Sequence, residues 1–357
     1  MDVTAATEYA DDEDIEVREA VPGDLPTLAA VTADTWENGD YIADAFPRWM
    51  ASDDPDTKTF VAADLTADPL AADEVAGVDE RSSSTRQTQS DGVDPGDVGE
   101  LPDDRPVGIC QAVGLSEHEG WMQAMRVDPE YRGRRLSRAL NDAGFHWLYE
   151  TGRRVARNMV FSWNTSGLGA SRVNGFEPGT EFRWVQPDPD ADATPRTDDA
   201  AAIDPDPDAA WGFWTDSAAR DELDGLALDD EESWALSELT RERLRAAAAD
   251  GRLQVVSAAN GGVGGFSYRV RTSEREGDDG ERRTRAEYGV AAWRDPDACE
   301  ALLSAVSRDA ASVDADTTRV LVPESVRWVS DTAVAGVDIG DEPDFVMRAD
   351  LTKQHWA

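Results

Sequence analysis

Apolar and polar positions alternate at Ile15-Glu16-Val17-Arg18, which predicts a first strand. The spacing then changes. Leu25, Leu28, Val31 and Trp36 fall on one helical face, with Asp24 placed to cap it. A second helix is predicted over 41–50 on Ile42, Phe46 and Trp49, followed by a strand at 59–63. Strands at 107–113 and 121–127 come next, and Asp128-Pro129 ends the latter because proline has no N–H to donate. Leu136, Ala139, Leu140, Ala143 and Trp147 recur at helical spacing to about Glu150, where Thr151-Gly152 closes the helix. A strand at 155–163 precedes a helix at 164–174, ended by Gly175, which can take the left-handed C′ conformation. Phe182-Arg183-Trp184-Val185 reads as a closing strand. The order β-α-α-β-β-β-α-β-α-β predicts a mixed α/β sheet.

Two stretches break this pattern. Residues 70–105 are rich in Asp, Ser and Gly with hardly any large apolar side chain, which predicts a disordered, solvated insertion. Residues 187–210 alternate Pro and Asp and predict an extended, self-repelling linker between a domain at 14–186 and another at 211–352. The second domain is expected to hold a helix at 234–248 and strands at 253–258, 263–270 and 287–293, with a hairpin tip at 277–283. Asp295-Pro296 then echoes Asp128-Pro129 and is again followed by a helix, 299–310. A strand at 319–322, a helix at 326–334 and a strand at 345–347 complete the series. Element for element this follows residues 59–185, which suggests an internal duplication.

Charge changes the picture of the surroundings more than of the fold. The formal net charge is −40, with 74 acidic residues against 34 basic ones, and only Lys58 and Lys353 are lysines. Such a surface repels nucleic acid and anionic membranes. Excess carboxylates with few lysines is also the composition of proteins that work in molar salt, where repulsion is screened within about 3 Å. A halophilic cytoplasmic protein is therefore expected, with a monomer as a plausible state. The N-terminal residues have neither a basic stretch nor an apolar core, so no signal peptide is expected, and no apolar run is long enough to span a membrane. Cys110 and Cys299 sit in apolar, strand-like contexts and read as two buried free thiols. No ligand spacing for a metal occurs.

Against that acidity, the arginines of Met125-Arg126-Val127-Asp128-Pro129-Glu130-Tyr131-Arg132-Gly133-Arg134-Arg135-Leu136-Ser137-Arg138 need a reason. The segment reads as strand end, tight basic loop and helix start. Backbone N–H groups at a helix N-terminus, with arginines beside them, suit phosphate oxygens. The second half has no counterpart, since Asp295-Pro296-Asp297-Ala298 passes straight into helix.

The element order and the run V-D-P-E-Y-R-G-R-R-L-S resemble the GNAT superfamily of acyl-CoA-dependent N-acyltransferases, whose [QR]-x-x-G-x-[GA] loop binds the coenzyme A pyrophosphate through backbone amides. A second signature, N-T-S-G-L-G-A-S-R-V-N-G-F, places Asn164, Gly175 and Phe176 as in the family's next helix. The resemblance covers residues 14–186 directly and reaches the second half only through the duplication. It implies tandem GNAT-like folds, the second degenerate, of a haloarchaeal type, with acetyl-CoA as acyl donor and a small-molecule amine or amino acid as acceptor. It further implies pyrophosphate contacts from Arg132, Gly133, Arg134, Arg135 and Ser137, and backbone groups of Met125 and Val127 for the pantetheine arm. Asn164 fits either as a pantetheine ligand or as a helix N-cap. The motif's first glycine is Arg135 here and its Gly/Ala is Ser137.

Acyl transfer to an amine needs a proton acceptor and a polarised carbonyl. The family's frequent Glu on the fourth strand is Gln123 here, which cannot take a proton. Glu117, His118 and Glu119, just upstream, could act directly or through water, or could be solvated loop residues. The family's tyrosine acid maps to Ser171, which could orient the leaving thiol or pack its helix. Trp121, Trp147, Trp163 and Trp184 read as core or pocket wall. The implied activity is N-acetylation by direct attack in a ternary complex; a non-catalytic acyl-CoA sensor or interaction module is the alternative.

Overall fold

The structure, a computed structural model, describes residues 12–33, 35, 40–70, 101–196, 200–259, 261–276 and 281–353. Trp36, most of the expected insertion (71–100), much of the hairpin tip near 277–283, and His355 lie outside the described residues. Strand β1 (Ile15–Glu19) leads to helices α1 (Leu25–Thr32) and α2 (Ile42–Ala51), then β2 (Thr57–Asp64), β3 (Arg105–Gly114) and β4 (Glu119–Val127). Helix α3 (Leu136–Glu150), β5 (Val155–Phe161), α4 (Thr165–Val173) and β6 (Glu177–Gln186) complete the first half. The second holds β7 (Ala202–Ile203), α5 (Pro207–Thr215), α6 (Ala218–Glu222), the hairpin β8 (Leu226–Leu228) and β9 (Leu236–Glu238), and α7 (Arg241–Ala249). It continues with β10 (Leu253–Ala258), β11 (Gly262–Glu276), β12 (Arg282–Trp293), α8 (Pro296–Ser312), β13 (Thr317–Pro323), α9 (Val326–Ala335), β14 (Asp338–Ile339) and β15 (Asp344–Asp350).

Most periodicity-based elements form where expected; three local readings need correction. Asp24 does not cap α1 through its side chain. Its carboxylate instead accepts from the Val21 N–H at 2.8 Å and binds the Arg18 guanidinium at 2.7 and 3.0 Å. No helix starts at Trp234: that residue is left-handed (φ 67°), and β9 intervenes before Thr240 caps α7 by accepting from the Arg243 N–H. The threonine cap fixes the true start of the helix, so the expected range 234–248 becomes Arg241–Ala249. Residues 187–196 are not a free linker either. The Thr318, Ser307 and Arg308 side chains donate to the carbonyls of Pro187, Asp188 and Ala193, and β7 adds an edge strand beside β10.

Thirteen of the strands form one sheet in the order β1-β2-β3-β4-β5-β15-β6-β13-β12-β11-β10-β7, with β14 also on β6, while β8 and β9 pair only with each other. Each half sends its late strand into the other. β15 lies between β5 and β6, antiparallel to both, with Met347 opposite Asn158 on one side and Pro178 on the other. In return β6 stands between β15 and β13, with Leu321 opposite Trp184. The alternation of β15 serves two cores. Val346 joins the large core of the second half, whereas Met347 and Ala349 join the core that α3 builds on the first. Cys110 and Cys299 are free and buried.

Candidate functional site

The site begins where β4 leaves its parallel neighbour. β4 and β5 pair only over Glu119–Trp121 with Val155–Arg157, although β4 runs on to Val127. The cause is visible in the backbone. Ala124 is left-handed (φ 57°), and the β3–β4 register slips between Ile109 and Gln111, so Ala124 and Met125 together face Cys110. Such a bulge adds a residue to one strand and bends it. Beyond Trp121, the stretch of β4 that carries Met125 and Val127 is therefore unpaired with β5, its side chains half-buried against the core that α3 builds.

The basic loop follows directly. Asp128 accepts from the Glu130 N–H and starts a short 3₁₀ turn at Pro129–Tyr131. Gly133 (φ 85°) and Arg135 (φ 61°) are both left-handed, and α3 then starts with no side-chain cap on its N-terminus. Arg135 thus adopts the backbone region that the motif's glycine enters at no cost; for arginine the cost is about 1–2 kcal/mol. Left-handed residues beside a helix N-terminus turn successive N–H groups to one side, an anion-binding arrangement.

The arginines divide between tasks. The Arg134 guanidinium is held by Asp12 (Nε–Oδ2 2.9 Å) and lies over the Tyr131 ring, which leaves its backbone N–H for the loop. Arg126 pairs with Asp40 at 2.6 Å and donates to the Met125 carbonyl at 3.0 Å. Arg132 and Arg135 are exposed, and Ser137 is half-buried in the first turn of α3.

The corresponding place in the second half is built differently. β12 and β13 are parallel over Arg285–Tyr288 and Thr317–Val320 and then part in the same way. There, however, Asp295 caps α8, its carboxylate accepting from the Ala298 N–H at 3.0 Å. The protein's own anion occupies the helix start. Trp293, two residues before it, meets Trp328 of α9 edge-on at 4.8 Å between centroids, and both are buried.

The expected catalytic candidates lie elsewhere. Glu119 is buried where β4 and β5 still pair; it accepts from Arg157 at 2.6 Å, Ser116 Oγ at 3.1 Å and the Glu238 N–H at 3.0 Å. Of these three donors the Glu238 N–H comes from the second half, which makes Glu119 a tie between the halves. His118 is exposed in the β3–β4 turn, and its carbonyl accepts from the N–H groups of Arg154 and Val155. Ser171 is buried in α4, its hydroxyl accepting from Asn158 Nδ2 at 3.1 Å. Asn164 caps α4, accepting from the Gly167 N–H at 2.9 Å. Among the tryptophans, Trp121 and Trp184 are core, whereas Trp163 stays 54% exposed, stacked on Phe161 at 5.3 Å.

Sequence reasoning missed Glu232. The β8–β9 connection of the second half carries it to β4, where Gln123 Nε2 donates to Glu232 Oε1 at 3.2 Å and to Gln111 Oε1 at 2.8 Å. Burial, and more weakly the charge of Asp229, raises the Glu232 carboxyl above its ordinary range against the Gln123 hydrogen bond and the Arg271 charge. Its only signal in the sequence was an acidic run, Asp229-Asp230-Glu231-Glu232, which resembles any solvated surface of this chain.

The chain is similar along nearly its whole length to a GCN5-related N-acetyltransferase from Sphaerobacter thermophilus, at 14% identity, covering 95% of this chain and 96% of that one with a TM-score of 0.53. It is also similar to a tandem GNAT protein from the clavulanic acid biosynthesis pathway, at 12% identity, 94% and 98% coverage and a TM-score of 0.47. At such identity the likeness to the first of these shows the fold, a GNAT-type mixed α/β fold, and nothing beyond it. No protein-family profile matches the sequence, and no curated protein does. Among the described residues, no helix is long and apolar enough to cross a membrane.

Proposed function

We propose that this chain is an N-acetyltransferase that moves the acetyl group of acetyl-CoA to a primary amine of a small molecule or amino acid, by direct attack in a ternary complex. The observation that carries this reading is the contrast between the halves: in the first, β4 leaves β5 at a bulge and α3 starts without a side-chain cap, whereas in the second Asp295 caps α8 and Trp293 packs on Trp328. The amides of Gly133 to Ser137, with Arg132 and Arg135 alongside, would hold the pyrophosphate. The open edge of β4 at Met125 and Val127 would pair with the pantetheine arm, and a strand amide near the bulge would polarise the thioester carbonyl. In this reading the second half is a degenerate copy, and the carboxylate-rich, lysine-poor surface belongs to a halophilic cytoplasmic protein.

The test is calorimetric binding of acetyl-CoA in molar KCl, with free thiol release followed over a panel of primary amines and Arg132→Ala as control. Absence of binding sinks the proposal. A second reading, a non-catalytic acyl-CoA sensor, is favoured by Gln123 in place of an acid and Ser171 in place of a phenol; binding without thiol release on any amine would select it.

A further inference from the structure

The second half sends a carboxylate, Glu232, to the strand of the first half that leaves its parallel partner. We propose that Glu232 is the proton acceptor for acetyl transfer in the first half, supplied across the molecule in place of the acid that Gln123 lacks; this rests on the transferase reading above.

Three observations carry it. The first is position: Glu232 Oε1 is 3.2 Å from the amide of Gln123, one residue before the bulge at Ala124 where β4 has just left β5. The second is the construction of its loop. Asp229 Oδ1 accepts from the N–H groups of Glu231 and Glu232 at 3.0 and 2.8 Å, and its other oxygen accepts from Ser237 at 2.6 Å. Arg271 donates to the carbonyls of Asp229, Glu231 and Glu232 while its Nε sits 3.2 Å from Glu287. Trp234 closes the loop in a left-handed conformation, and the Arg319 guanidinium lies 4.2 Å from its ring centroid and 4.2 Å from that of Trp184. Left-handed tryptophan is costly, and such strain persists only where surroundings over-determine it. The third is environment: burial lifts the carboxyl above its ordinary range, with Asp229 and Arg271 as its charged neighbours and Tyr41 within reach of its field.

In the reaction, the Glu232 carboxylate takes one proton from the substrate ammonium. The freed nitrogen lone pair attacks the thioester carbonyl carbon, the C–N bond forms and the C–S bond breaks. The coenzyme thiolate leaves and takes the second proton from nitrogen, so the products are the amide, the free thiol and the proton on Glu232.

The experiment compares the full chain with Glu232→Gln, Glu231→Gln and the double variant Glu232→Gln/Gln123→Glu, using acetyl-CoA with L-lysine, spermidine and tyramine in molar KCl across pH 5–9. Glu232→Gln should lower kcat by about 100-fold or more with acetyl-CoA affinity unchanged, and abolish the acidic limb of the pH profile. Glu231→Gln should leave both as they are. The double variant should recover turnover, which a merely structural glutamate would not allow. Wild-type turnover with kcat and pH profile retained in Glu232→Gln overturns this inference and leaves the transferase reading standing. A wild type that releases no thiol overturns that reading, and this one with it. If Glu232→Gln does not fold, the single variant Gln123→Glu decides: a second acid at that place should shift the acidic limb, and an unchanged limb refutes the assignment.

Discussion

Truncating Met347 to alanine tests whether the exchanged strands make one folding unit. Met347 is 5% exposed, lies in the last long strand of the second half, and belongs to the core of the first. Its neighbours across the sheet are Asn158 on β5 and Pro178 on β6. Removing a buried methionine to alanine costs about 2–5 kcal/mol. With a urea slope of about 3 kcal/mol/M, the midpoint should fall by about 1 M in molar KCl. Circular dichroism and tryptophan fluorescence should move together, because residues 344–350 stand between β5 and β6 in the sheet and pair with both. By the same logic a polypeptide of residues 12–196 should fail to fold alone and should gain structure when a peptide of residues 341–353 is added. Two separated unfolding steps, with Met347→Ala moving one of them, would refute the argument. So would a 12–196 polypeptide that folds cooperatively without the peptide.

Arg135→Gly should stabilise the protein by about 1 kcal/mol by removing a left-handed arginine, with acetyl-CoA affinity kept within a few-fold; urea midpoints and calorimetry read both. Titration of acetyl-CoA should give one site per chain, since Asp295 and the Trp293–Trp328 pair close the second place; a stoichiometry of two would contradict this. Burial first, against the Trp184 hydrogen bond, raises the Asp344 carboxyl to about 6 from 3.8. Folding therefore favours its protonated form, and stability is lost as pH rises from about 4 through 6, by about 1–3 kcal/mol. Asp344→Asn should be the more stable protein above pH 6 and equal to wild type below 4. Finally, moving the wild type from molar KCl to dilute buffer should lower its thermal midpoint; an unchanged midpoint would remove the case for halophily.

Sequence and structure agree best where one local cause suffices. Asp128-Pro129 stops β4, Gly175 turns left-handed (φ 93°) after α4, and residues 253–258 form a strand with the bounds their pattern predicts. Disagreement comes where the deciding partner is remote. Phe345-Val346-Met347 reads as a strand in any context, and nothing in three residues says which half it joins. The loop was legible from Arg132, Gly133 and the helix that follows, but the backbone of Arg135 was not, because its side chain argues against the conformation it takes. Asn164 fitted a ligand and a cap equally from sequence, and its bond to Gly167 shows the cap. Glu232 was hidden most completely, since only tertiary packing distinguishes it from neighbouring carboxylates.

The exchange of β6 and β15 also sets an order on biosynthesis. A ribosome releases residues 15–186 long before residues 344–350, so the first half must wait, with the edges of β5 and β6 exposed, until the whole second half has been made. Domains ordinarily complete in the order of synthesis. Here the earliest residues to emerge are among the last to be finished, and a chain stalled before Asp344 would be sticky rather than partly useful.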